Sequence, residues 1–322
     1  MILIFASHNG AGRSLSRMLS ALETLRAPSD GLNILAIDSA SYDDTGAVLR
    51  KAAEKLPITV LRVDQTGKNL ALNAALGASQ SQLHAHQLVV FTDDDVVAHP
   101  DWLIELEAAA RVAPHADLFG GTIEPIFPSP PGADLMRLSD RFDVLFAKSS
   151  LPSGPCPPRQ IFGPNMAVRA RVLAKGVKFD EQIGPNGTSH YAMGSESELV
   201  HRLERSGAQA WFAQKACVGH LIREDQMQID FAYLRAFRHG AGVARLQPLG
   251  RLAIFGAPVR ILAKKAIALL RARLGQMRVP GYCSVRARYD AAWCRGAISM
   301  RRSMARGSPT ISGLAYGGAD RG

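Results

Sequence analysis

Residues 91–103 read FTDDDVVAHPDWL, and the strand-like run before them, LVVFT (88–92), ends on three consecutive aspartates, Asp93, Asp94 and Asp95. Carboxylates this close repel one another and resist ionising together. Three of them at one strand end are costly unless a cation joins them, and a divalent metal is the usual partner.

Four apolar runs, ILIFA (2–6), LNILAID (32–38), PITVLRVD (57–64) and QLVVFTDDD (87–95), alternate with helical patterns over 13–26, 45–55, 69–79 and 101–111. Short continuous apolar strands separated by amphipathic helices predict an α/β fold, a Rossmann-type, mostly parallel sheet covered on both faces. In such a sheet the ligand crevice lies at the carboxyl ends of the strands.

Those ends carry SHNG (7–10), DSASYDDT (38–45) and DDD (93–95). Neither GxxxxGK[ST] nor GxGxxG occurs, so a phosphate group would be held through metal rather than in a glycine-rich cradle. Each acid also has a plainer reading. Asp44 or Thr45 would cap the following helix, and Asp38 would bond its own turn. Lys68, Asn69 and Asn73 sit early in a helix, where polar residues are common.

Beyond residue 112 the chain turns Pro-rich, with PSPPGAD (128–134) and LPSGPCPP (151–158), which reads as a ligand-covering loop and places acceptor recognition within 128–160. Ordered blocks follow: FGPNMAVR (162–169), KFDE (178–181) and YAMGSESEL (191–199). Ser195 and Glu198 have capping-box spacing, and Arg202 lies four residues after Glu198. Glu196, at the first helical position, is left unexplained; the helix N-terminus helps a carboxylate there stay ionised, which suits a proton acceptor. His220, after an apolar run, reads as either a packed histidine or a ligand.

Taken in order, SHNG, IDSASYDDT, GKNLALN, FTDDDVVAHPDWL, GPN, FDE and GSESEL resemble the nucleotide-sugar transferring enzymes of glycosyltransferase family 2, which have the GT-A fold. The resemblance covers residues 1–242. It implies an inverting glycosyltransferase in polysaccharide or glycolipid synthesis, with a nucleotide-diphosphate sugar as donor and a saccharide or lipid-linked acceptor. It also implies donor contacts from Ser7, Asn9, Asp38, Lys68, Asn73, Asp93 and Asp94. Asp95 and Asp93, with His220, would hold Mg²⁺ or Mn²⁺. Glu196 would be the catalytic base, although the family's usual Glu-Asp pair stands here as Ser195-Glu196; Asp180 and Glu198 are the alternatives. A sugar-phosphate nucleotidyltransferase, or a non-catalytic nucleotide-sugar or membrane-surface binding homologue, are the competing readings.

The net charge of +10 is unevenly placed: residues 251–322 carry 14 Lys and Arg against Asp290 and Asp320. No aromatic interleaving accompanies that charge, so nucleic acid is not expected as a partner. Arg260, Lys264 and Arg271 share one helical face beside Val259, Ala263 and Leu270, which suggests either an anionic membrane surface or a solvated helix packed on the domain. The domain reading is therefore one GT-A domain made of a nucleotide-sugar half (1–112) and an acceptor and base half (113–242), followed by a basic, partly helical tail (243–322), disordered from Arg301. Met1 to Phe5 reads as a strand rather than a leader, and four cysteines without ligand spacing read as packing residues of a reducing compartment. The expected location is cytoplasmic, peripheral on the inner face of the cell membrane.

Overall fold

In the computed structural model every apolar run of the first hundred residues is a strand: β1 (Ile2–Ser7), β2 (Asn33–Ser39), β3 (Ile58–Val63) and β4 (Leu88–Asp93). Helices α1 (Leu15–Leu22), α2 (Thr45–Ala52), α3 (Lys68–Ser79) and α4 (Trp102–Val112) fall where the apolar period places them. The structure describes residues 1–83, 88–188, 190–247, 249–250, 252–279 and 283–307. The strands pair in parallel in the order β3-β2-β1-β4.

Both faces of β1, β2 and β4 are buried, which is why those strands are apolar at successive positions rather than alternating, while the edge strand β3 is half-exposed. Leu3, Phe5, Ile34, Ala36 and Val90 enter one core with Leu15 and Trp102. Their neighbours Ile2, Ile4, Leu35, Ile37 and Phe91 enter the other with Leu72 and Leu199.

Beyond β4 the sheet is no longer mostly parallel. Strands β5 (Val96–Ala98), β6 (Leu118–Ile126), β7 (Gly154–Cys156), β8 (Met166–Arg169) and β9 (Ala210–Leu221) extend it. Its order continues β4-β8-β6-β9-β5, with β7 also on β9. β8 runs antiparallel to both β4 and β6, and β5 and β7 run antiparallel to β9. The Asp94-Asp95 turn therefore carries the chain from β4 to a short strand paired with β9, so that Val96 faces His220. Asn165 braces this region: its Oδ1 accepts from Trp102 Nε1 (2.8 Å) and its Nδ2 donates to Ala216 O (2.8 Å) and Thr122 O (3.1 Å).

Residues 1–128, 146–181 and 195–222 form this α/β unit; residues 129–145, 182–194 and 223–322 form a second, helical one. The first unit also contains α6 (Ala170–Leu173) and α7 (Ser195–Arg205); the second holds α5 (Ala133–Ser139), α8 (Ile229–Leu246), the hairpin β10 (Ala253–Ile254) and β11 (Ala257–Pro258), α9 (Val259–Gln276) and α10 (Ser284–Ala305). The join between the two expected halves, 112/113, lies inside the first unit, and the expected start of the tail at 242/243 falls within α8. Nor is 128–160 a plain loop, since it contains α5 and β7. Helix α10 continues to Ala305, past the expected onset of disorder at Arg301; residues 308–322 lie outside the described ones. Two glycines set the packing of α8 on α10. A Cβ at Gly240 would lie 2.0 Å from Trp293 O, and one at Gly296 would lie 1.9 Å from Phe237 O. Among the cysteines Cys294 is buried, Cys156 and Cys217 are half-buried and Cys283 is exposed, so Cys283 is not the packing residue expected.

Candidate active site

The carboxyl ends of β1, β2 and β4 converge as the topology requires. Ser7 closes β1, and its Oγ donates to Asp94 Oδ2 (2.5 Å). Next to it Asn9 takes a left-handed conformation (φ 53°), donates its N–H to Ser41 Oγ (3.0 Å) and accepts from Tyr42 N–H (3.0 Å). Gly10 follows because a Cβ there would lie 2.2 Å from Ser7 Oγ and 3.0 Å from Asp94 Oδ2. The β1 loop is thus fastened to both the β2 loop and the aspartate cluster.

Several polar residues of the β2 end serve this fastening. Asp38 is buried, with Oδ1 accepting from Ser41 N–H (3.0 Å) and Oδ2 from Arg62 Nη1 (2.6 Å). Asp44 makes no side-chain cap to α2. Asp43 instead accepts from Thr45 N–H (3.0 Å), and Thr45 Oγ1 accepts from Gly10 N–H (2.8 Å). The expected helix cap is in fact a bridge between two strand-end loops.

Lys68, the first residue of α3, reaches the centre of the site. Its Nζ pairs with Asp93 Oδ1 and, at 2.5 Å, with Glu196 Oε1. Burial alone would discharge this ammonium, but the two carboxylates outweigh it and hold its pKa above the ordinary lysine value. Asn73 lies elsewhere. Its Nδ2 donates to Phe179 O (3.0 Å) and Glu181 Oε1 (2.9 Å), and its Oδ1 accepts from Phe179 N–H (2.8 Å). Asn69 Nδ2 likewise donates to Asp180 O (2.7 Å). Both asparagines therefore clamp residues 179–181 onto α3.

Glu196 reaches the same point from α7. A Cβ on Gly163 would lie 2.4 Å from Glu196 Cδ, so the carboxylate occupies the space that only a glycine leaves open. The Gly163 loop is held there by Thr92 Oγ, at the end of β4, donating to Pro164 O (2.8 Å). Glu198 is taken up by Arg202 (2.7 Å to each carboxylate oxygen), and the charge of Asp180 helps to hold that arginine protonated. Of the three acids weighed as a base, Glu196 is the one beside the aspartates. Arg62 carried no sequence signal, because it acts on a residue more than twenty positions away, and Gly163 entered only within the GPN block, with no role of its own.

The cluster is short of positive charge. Burial, with Glu196 and Asp95 adding to it, raises Asp93 against the pull of Lys68. Burial and Asp95 push Asp94 up to about 7, opposed by its bond from Ser7. Asp95 Oδ2 lies 3.5 Å from His220 Nε2, and His220 Nδ1 bonds Phe146 O at 2.7 Å. A carbonyl only accepts, so Nδ1 carries the hydrogen, and Nε2 is the ring nitrogen that faces Asp95 and that a metal ion would take. Among the described residues no three such ligands converge. Asp93 is held by Lys68, so Asp95 and His220 are the two that fit a divalent cation; the remaining positions of a hard ion suit phosphate oxygens and water.

Residues 3–150 match the model of glycosyl transferase family 2. That stretch, just under half of the chain, is similar to glycosyl transferase family 2. The match runs from β1 through the aspartate cluster and well past β6. Over 193 residues the chain is 22% identical to a glucosyl-dolichyl phosphate glucuronosyltransferase of Haloferax volcanii, covering 56% of each sequence, so it spans about half the length of that curated relative. The fold is that of a mannosyltransferase from Pyrobaculum calidifontis solved with GDP-Man and Mn²⁺: TM-score 0.60, 17% identity, 92% of this chain and 86% of that one. S. aureus TarS (1–349) with UDP-GlcNAc is similar over 95% of this chain and 92% of that one, with TM-score 0.53 and 14% identity. These likenesses show a GT-A-like α/β fold followed by C-terminal helices.

Proposed function

We propose that this chain moves a sugar from a nucleotide-diphosphate donor to an acceptor hydroxyl with inversion at the anomeric carbon. One observation carries the reading: four carboxylates, Asp93, Asp94, Asp95 and Glu196, gather at the strand ends around a single lysine. Such a site favours a further cation, and a diphosphate brings one with it. The ligands of the two similar structures, GDP-Man with Mn²⁺ and UDP-GlcNAc, support a nucleotide sugar and a divalent metal, Mn²⁺ or Mg²⁺.

In this reading Asp95 and His220 hold the metal, whose bound charge would stabilise the departing diphosphate as a Lewis acid. Ser7, Asn9, Asp93 and Asp94 line the donor side. Asp38 acts there through the 39–44 loop that it closes with Arg62, while Asn73 holds the 179–181 segment onto α3. Glu196 takes the acceptor's hydroxyl proton as that oxygen bonds the anomeric carbon and the bond to the diphosphate breaks on the opposite face. Lys68 holds Oε1, which leaves Oε2 of Glu196 to receive the proton. The acceptor is a saccharide or lipid-linked saccharide, and the working place is the cytoplasmic face of the cell membrane. No helix among the described residues is long and apolar enough to cross that membrane.

The test is thermal unfolding of the full chain with UDP, GDP, dTDP and CDP, each with and without Mn²⁺. Binding to the folded state raises apparent stability by RT ln(1 + [L]/Kd). A metal-dependent rise with one nucleotide that vanishes in Asp95→Ala is the expected outcome. No rise with any nucleotide and metal would refute the donor site.

A further inference from the structure

Helix α9 is apolar on the side where a surface helix is normally polar. It packs against its own unit through Ile261, Ala268 and Ala272. At 100° per residue the direction opposite these three carries Val259, Ala263, Ala266, Ile267, Leu270 and Leu274. Ile267 is 50% exposed and Leu270 59%. Arg260 and Arg271 stand on one shoulder of this stripe and Arg273 on the other.

The hairpin that leads into α9 continues the pattern. Val259 N–H donates to Leu252 O (3.0 Å), which sets Leu252, 77% exposed, at the head of the stripe. At the tip Phe255 is 90% exposed and held at φ 49°, a conformation that bulky residues rarely adopt. An aromatic ring kept in a strained backbone with nothing over it is unusual for a residue facing water alone.

We infer that this surface, the exposed stripe of α9 with the Phe255 hairpin, lies in the headgroup layer of an anionic lipid bilayer. Charge selects this occupant. Residues 252–279 contain six basic side chains (Arg260, Lys264, Lys265, Arg271, Arg273, Arg278) and no acid. Apolar stripe and cationic shoulders together are what a helix lying in an anionic interface requires: the stripe enters the acyl boundary while the arginines meet lipid phosphates. The same distribution suits nucleic acid poorly, since the centre of the face would bury hydrocarbon against phosphate. The inference rests on surface chemistry alone and can fail while the transferase reading stands, or the reverse.

Flotation of the full chain with phosphatidylcholine vesicles, with and without 30% phosphatidylglycerol, tests it (a probe composition of about one anionic lipid in three, so that surface charge is varied alone). The expected result is retention on the anionic vesicles only. Each basic residue near such a surface is worth about fivefold in partition, so Arg260→Gln/Arg271→Gln should weaken retention about 25-fold. Phe255→Ser/Ile267→Ser/Leu270→Ser should weaken it more than about tenfold through lost insertion. All five side chains are exposed, so both variants should keep the wild-type melting temperature and nucleotide-dependent stabilisation, which separates this outcome from failure of the donor site. Retention equal on neutral and anionic vesicles, or unchanged in the apolar variant, would overturn the inference. So would self-association in sedimentation that the apolar variant abolishes while vesicles retain nothing, since a second copy would then cover the face.

Discussion

Lys68 Nζ lies 2.5 Å from Glu196 Oε1 and pairs on its other side with Asp93, so one ammonium ties the first turn of α3 to the first turn of α7 over the end of β4. The three side chains are mostly buried, with 15–25% exposure. Removing the cation from such a group leaves carboxylates without compensation, which is far more damaging than losing a surface pair. Lys68→Met is expected to lower unfolding stability by about 3 kcal/mol. Chemical denaturation reads this directly, and an unchanged midpoint would mean that the bridge does not hold the site together.

Asp94 predicts a pH dependence whose sign is unusual for an aspartate. Its folded pKa, raised to about 7, exceeds the ordinary value of about 4, so the folded protein binds this proton more tightly than the unfolded chain. Stability of the metal-free protein should therefore fall as pH rises from about 4 toward 7, where the folded group finally ionises. Asp94→Asn removes that titration. Its stability relative to wild type should grow by roughly 1–3 kcal/mol between pH 5 and pH 8; a constant difference across that range would dismiss the effect.

Gly163 is required by Glu196 rather than by its own backbone. A methyl group there would displace the carboxylate from beside Lys68, so Gly163→Ala should behave like a milder Glu196→Gln. Positioned proton acceptors contribute about 10²–10⁴-fold, and losses in the lower part of that range are expected for kcat in Gly163→Ala. Nucleotide-dependent thermal stabilisation should persist in both variants. Full turnover in Glu196→Gln would take Glu196 out of the reaction.

The asparagines of α3 should report on structure rather than donor affinity. Asn73→Ala removes three hydrogen bonds to residues 179–181, two of them to main chain, and is expected to cost about 1–3 kcal/mol. The melting-temperature rise produced by nucleotide and metal should match that of wild type. A selective loss of that rise would restore Asn73 to the donor site.

The α/β architecture was legible in the sequence because strands buried on both faces must be apolar at successive positions, and β1, β2 and β4 announce themselves in that way. The aspartate cluster was legible for the same reason in reverse, as three charges ending an apolar run cannot pass for core. Glu196 stood out once Glu198 was assigned to Arg202, a contact set by helical spacing alone. The C-terminal half of the sheet was harder to read. Strands β5, β7 and β8 are three or four residues long and pair antiparallel with partners remote in sequence, so periodicity has too few residues to speak through.

What the sequence determined by itself, then, was everything carried by local period and by charge placed against it: the parallel strands, their helices, and the strand ends on which ligand groups gather. Only the tertiary structure decided which polar residues are spent on one another. It committed Asp38 to Arg62 and Asn73 to residues 179–181, and it left Glu196 and Asp93 sharing Lys68. It also turned the apolar stripe of α9 outward, because Ile261, Ala268 and Ala272 took the inner side. The physical reason is the same in each case: a side chain's partner depends on distance in space, and the contacts that chose between function and scaffold here join residues twenty to more than a hundred positions apart, beyond the reach of any local pattern.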